Sequence, residues 1–133
     1  MIRVILESPF GADPDKFIPY GRAAIADSLQ QGEAPMAMHL LYTQPGVLND
    51  RVPTDRAKGM EAAFAWYQMA EKVVVYRDFG ISHWMQAGID LAISYGLQID
   101  YRSLRGKGVL PAVFDTFPAT VGDWEVLRGP LDG

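Results

Sequence analysis

The sequence predicts an α/β fold in which a small parallel sheet lies between layers of helices. Three observations carry this. Hydrophobic periodicity switches repeatedly between the strand period and the helix period along the chain. Short β-branched runs, of which Lys72 to Tyr76 (KVVVY) is the clearest, read as strands buried on both faces. The segments follow the order β-α-β-α-β-α-β, which argues for parallel strands joined by crossover helices rather than for a meander.

Each element has its own signal. Ile2 to Leu6 is a short apolar run, a buried first strand, and Glu7 to Asp15 is turn chemistry with two prolines and a glycine. A helix is expected from about Ile18 to Gln31, with Ala24, Ile25, Ser28 and Leu29 inward and Gly32 as its stop. Ala34 to Leu41 is the second strand. Tyr42 to Pro53 is a long loop, after which Thr54 reads as an N-cap with Asp55 in the first turn. The helix that follows runs to about Ala70, with Met60, Ala63, Phe64 and Tyr67 at i, i+3, i+4 and i+7. After the KVVVY strand and the Asp78-Phe79-Gly80 turn, Ser82 caps a third helix through Tyr95. That helix turns Met85, Ile89 and Ala92 inward and ends at Gly96. Gln98 to Tyr101 is the fourth strand. The whole reads as a three-layer, flavodoxin- or Rossmann-like sandwich with a parallel sheet of four or five strands, the first strand lying between the second and third.

Residues 1–104 form the α/β domain on this reading, and residues 105–133 an extension that breaks the alternation. Phe114, Phe117 and Trp124 make the extension too aromatic for a free linker, so it is expected to pack on the domain or on a second subunit. A length of 133 residues fits one domain, and 49% hydrophobic residues exclude a disordered chain. There is no cysteine, which removes disulfides and thiolate chemistry. No His/Asp/Glu spacing resembles a metal site, and no Gly-rich phosphate loop occurs, so neither a metal nor a cofactor is called for. The net charge is −4 without a basic cluster, which argues against general nucleic-acid binding and for a small ligand or a protein partner. The amino terminus lacks the pattern of a signal peptide and no apolar run approaches a membrane span, so a cytoplasmic protein is expected, in the host cytoplasm if phage-encoded.

In parallel α/β sheets ligands lie beyond the carboxyl ends of the strands. Three segments emerge there: Glu7-Ser8-Pro9-Phe10-Gly11, His39 to Thr43, and Asp78 to Ser82. Glu7 is a candidate ribose-hydroxyl acceptor or general base, or else a cap on nearby backbone N–H groups. Ser8, Pro9 and Phe10 are ligand-contact candidates on the same turn. Asp78 either binds a sugar hydroxyl or caps the turn behind it. Gly80 and Ser82 at a helix start either hold a phosphate or form an ordinary N-cap. His39 is a proton shuttle or a satisfied core histidine, and Tyr42 on the long loop could read a base edge. Phe64, Trp66, Met60 and Met69 read as core rather than as a stacking platform.

Two resemblances attach to these residues. The Glu7-Ser8-Pro9-Phe10 turn, and Asp78-Phe79-Gly80 followed by Gln86-Ala87-Gly88 on a helix, resemble the signatures of the nucleoside 2-deoxyribosyltransferase-like superfamily, which includes deoxynucleotide N-hydrolases. That resemblance implies nucleotide or nucleoside binding, with N-glycosidic hydrolysis or transfer, and a homodimer with sites completed across subunits. It implies a catalytic role for the residue at Gln86; Glu7 and Asp78, at the ends of strands, are the other catalytic candidates. The superfamily has glutamate where Gln86 stands, and glutamine cannot supply its charge, so Glu7 or Asp90 would have to substitute. The alternative is a non-catalytic ligand-sequestering module, or a protein-interaction module built from the 42–53 loop and the aromatic extension. Met1 to Leu104 also resembles a family of short uncharacterised phage and bacterial proteins, through Gly32-Glu33-Ala34-Pro35 and His39 to Leu48.

Overall fold

The structure, a computed structural model, describes residues 1–108. The expectations about Phe114, Phe117 and Trp124 lie outside these residues. Four strands are present: β1 (Ile2–Glu7), β2 (Glu33–Met36), β3 (Lys72–Tyr76) and β4 (Gln98–Arg102). They form one all-parallel sheet in the order β2-β1-β3-β4. The helices are α1 (Pro14–Gln30), α2 (Met38–Leu41), α3 (Pro53–Phe64) and α4 (His83–Ser94), with a 3-10 turn at Tyr67–Met69.

Alternation along the strands builds two cores. Val4 and Leu6 of β1 and Val74 and Tyr76 of β3 face α1, where they meet Phe17, Tyr20 and Ala24. Ile5, Val73 and Val75 face the other way, against Tyr67 and against Met85, Ile89 and Ala92 of α4. Burying a side chain such as Leu6 stabilises the fold by about 1.5–3 kcal/mol. The chain leaves β1 toward β2 on one side and returns to β3 on the other. Crossovers of one hand that run in opposite directions must lie on opposite faces, so α1 covers one face and α3 and α4 the other. Beside α1 the sheet is closed by charge instead. Glu33, with 4% of its surface exposed, accepts from Arg102 at 2.6 and 2.7 Å and pairs with Lys72 at 2.9 Å. The Arg102 hydrogen bonds hold the Glu33 carboxyl down at about 2.

Several boundaries differ from the sequence expectation. Helix α1 starts at Pro14 rather than Ile18, because proline suits the first helical turn, where its missing N–H leaves no bond unmade. Its inward face is Phe17, Tyr20, Gly21, Ala24 and Ser28, whereas Leu29 is 50% exposed. The second strand stops at Met36 instead of running to Leu41. It is an edge strand that tolerates Pro35, and the helix-forming Ala-Met-His-Leu-Leu stretch then closes a helical turn through Leu40 N–H to Ala37 C=O. Thr54 is not the cap of α3: Val52 occupies that place and Pro53 opens the helix. That helix ends at Phe64, and the tighter Tyr67–Met69 turn carries Tyr67 into the core. Trp66 and Met69 lie outside it, 43% and 56% exposed.

Candidate functional site

The switch in strand order falls between β1 and β3, and beyond the carboxyl end of β1 lies a small, partly open cavity of about 60 Å³. Ile5, Glu7, Ser8 and Phe10 supply its floor from β1 and the turn that follows. Met38 and His39 of α2, then Tyr42, Thr43, Leu48 and Asp50 of the loop, form one wall. Residues of α3 with Tyr67, and Trp84 and Met85 of α4, form the other. The mostly apolar lining with a few convergent polar groups is that of a small-molecule site.

Glu7 is the last residue of β1, and its parity with Ile5 turns it toward α3 and α4. It accepts a hydrogen bond from the Tyr67 phenol. Burial pushes its carboxyl up to about 8, against a smaller downward pull from Tyr67, so at pH 7 the group is largely protonated. Burial, and then the neighbouring Glu7, push the Tyr67 phenol upward in turn. Gly88 of α4 passes directly over this pair. A Cβ there would come within 2.5 Å of Tyr67 Oη and 3.1 Å of Glu7 Oε1, so the glycine is needed for the approach of the helix backbone.

Ser8 Oγ and His39 Nε2 share a hydrogen bond of 2.7 Å in the same lining. Burial lowers His39 to about 4, which keeps the imidazole neutral at physiological pH. The Phe10 ring meets it edge-on, with centroids 6.5 Å apart. Thr43 Oγ1 donates to the His39 carbonyl at 2.6 Å, which ties the loop to α2. At the mouth, Arg56 bonds the Asp50 carboxylate at 3.4 Å and its carbonyl at 3.0 Å, while Asp55 accepts from the Asn49 N–H at 2.9 Å. The indole nitrogen of Trp84 is buried with no hydrogen-bond partner among the described residues.

Among the expected site residues, Glu7, Ser8, Phe10, His39 and Tyr42 come together around this cavity. Others do not. Asp78 was expected in the same concavity, but its carboxylate lies on the α1 side of the sheet. It accepts there from Tyr20 Oη at 2.6 Å, from the Leu104 N–H at 2.8 Å and from Ser103, so it anchors the exit of β4. Ser82 is buried and caps α4, accepting from the Met85 N–H at 3.2 Å. Gly80 adopts a positive φ of 92° in the turn before α4, and neither it nor the buried Pro9 lines the cavity. Gln86 lies exposed on the outer side of α4, where it donates to Asp90 at 2.9 Å. Neither Asp78 nor Gln86 lines the cavity; the carboxyl groups that do are Glu7, Asp50 and Asp55. Among the described residues, no group of three His, Cys, Asp or Glu side chains is placed to hold a metal. No helix among them is long and apolar enough to cross a membrane.

Sequence reasoning missed Tyr67, Trp84, Gly88 and the Asp50–Arg56 pair. The one available signal was that a buried tyrosine needs a partner for its hydroxyl, which the apolar spacing of 60–67 conceals.

Fold and cavity define a three-layer parallel α/β protein with a pocket at the topological switch point. The chain belongs to the family described as a domain of unknown function (DUF7768), which matches residues 2–102. This agrees with the resemblance to a family of uncharacterised proteins, and nothing in the match extends to the deoxyribosyltransferase-like superfamily. No curated protein matches the chain.

Proposed function

We propose that the cavity binds a nucleoside or nucleotide, and that Glu7 is the group that meets the ligand. The observation that supports this most is the Glu7 carboxyl, held by Tyr67 in the wall of an apolar pocket at the switch point, where burial raises its pKa. A neutral carboxyl can donate to a base nitrogen or carbonyl and accept from a sugar hydroxyl.

If the ligand is turned over, the reaction is hydrolysis of an N-glycosidic bond. Glu7 gives its proton to the departing base as the bond from C1′ to nitrogen breaks. Water adds its hydroxyl to C1′, and the remaining proton returns to Glu7. Binding without turnover is the reading we favour, because the other carboxylates around the cavity are engaged: Asp50 with Arg56 and Asp55 with the Asn49 amide.

Thermal denaturation of the full chain across nucleosides and nucleotides, with free base followed in parallel, tests the proposal. A ligand at a hundredfold excess over its Kd adds about 2.7 kcal/mol of stability. Binding that weakens in Glu7→Gln, without base release, is the expected result. Base release that disappears in Glu7→Gln establishes the hydrolase instead. No stabilisation by any member of the panel overturns the ligand reading.

A further inference from the structure

Resting on that reading, we infer that the ligand carries no phosphate: the cavity is built for an uncharged nucleoside or free base and excludes the corresponding nucleotide. The charges around the cavity decide this. A phosphate bound in a protein needs guanidinium or ammonium groups, or exposed backbone N–H groups at a helix start, to replace its hydration. Arg56 is the one Lys or Arg among the described lining residues, and both the carboxylate and the carbonyl of Asp50 hold it. Asp55 stands beside it with no ion pair of its own among the described residues, so the described lining there carries two carboxylates to one cation. The other basic side chain in the lining, His39, is partly buried and hydrogen-bonded to Ser8.

The helix starts beside the cavity are those of α3 and α4: at α3, Pro53 has no N–H to offer and the Asp55 carboxylate in the first turn opposes an anion, and at α4 the cap takes up the Met85 amide. The Ser82 hydroxyl accepts from the Met85 amide, and Ser82 does not reach the cavity. What the walls offer instead are groups for neutral polar atoms. Glu7 and Tyr67 present a carboxyl and a phenol. A phosphate at the mouth would meet Asp50 and Asp55 as like charges.

The test is a thermal-shift titration of the full chain with adenosine, guanosine, thymidine and cytidine, each paired with its 5′-monophosphate, at low and high salt. The expected result is that the nucleoside of the best pair binds about tenfold or more tightly than its monophosphate. Salt narrows the gap, because it screens repulsion at the mouth. Asp50→Asn releases Arg56, removes a carboxylate and narrows the same gap at fixed salt. A monophosphate that binds as tightly as its nucleoside or better, with affinity lost in Arg56→Ala, overturns the inference and leaves the nucleotide-site reading standing. Failure of every nucleoside and every monophosphate to bind overturns both.

Discussion

Glu7 and Tyr67, 60 residues apart in sequence, meet through a hydrogen bond from phenol to carboxyl in the cavity wall. The pair joins the end of β1 to the turn after α3, so the cavity's geometry and the packing of that face of the sheet depend on the same contact.

Stability should depend on pH through Glu7. Its carboxyl is at about 8 in the folded protein against an ordinary value of 4.5, so between these values the folded state holds a proton that the unfolded state has released. Stability from this group is therefore full below about 4.5 and lost as pH rises toward 8, by up to about 1.4 kcal/mol per pH unit. Glu7→Gln puts a neutral hydrogen-bonding amide of similar shape in place of the carboxyl and removes the titration. Its urea midpoint should fall less than that of the wild type between pH 5 and 8; parallel profiles would show that Glu7 is ionised in the fold.

His39 acts on the acid side with the opposite sign. Burial holds it at about 4 against an ordinary 6.5, so on acidification the unfolded state takes up the proton first. The stability it contributes is present above about 6.5 and lost as pH falls toward 4. His39→Gln should flatten that limb, whatever its effect on stability at pH 7. The slope of the urea midpoint between pH 6.5 and 4.5 is the readout.

Asp78 should prove structural. Replacing it with alanine leaves Tyr20 Oη and the Leu104 N–H buried without their acceptor, at a cost of about 3 kcal/mol. Ligand affinity of the folded fraction should not change, because the carboxylate lies across the sheet from the cavity. Comparing melting temperature with Kd separates the two effects, and a weakened Kd at unchanged melting temperature would return Asp78 to the site.

The contrast between Glu7 and Asp78 shows what the sequence conceals. Both follow a strand and both carry a carboxylate, so the rule that sites gather at strand ends places them together. Which face each side chain takes depends on strand parity and on which crossover covers that face, and parity in a two-sided buried sheet leaves no mark in residue types. Strand β3 was legible because three consecutive valines suit a strand buried on both faces. Strand β2 ends before the sequence predicts because the Ala-Met run that follows suits a helical turn as readily as a strand. Gln86 could be placed on a helix from sequence, but not on its outer side beside Asp90.

The close passage of α4 over the Glu7–Tyr67 pair gives the sharpest test of the site's construction. A methyl group at position 88 would press on Tyr67 Oη, a hydroxyl pinned by its bond to Glu7, so Gly88→Ala should destabilise by about 1–3 kcal/mol even though alanine favours helix. Gly21→Ala is the control. Its added methyl meets the tip of the Leu40 side chain at 2.9 Å, which can rotate away, so its cost should be smaller. Tyr67→Phe deletes the atom that Gly88→Ala strikes. In that background the alanine should be partly rescued, with a coupling of about 1 kcal/mol or more; the contact with Glu7 Oε1 at 3.1 Å keeps the rescue incomplete. Urea denaturation of the four proteins of the cycle measures the coupling. Strict additivity would mean that Gly88 and Tyr67 do not touch, and the cavity wall would then be built differently from the geometry described.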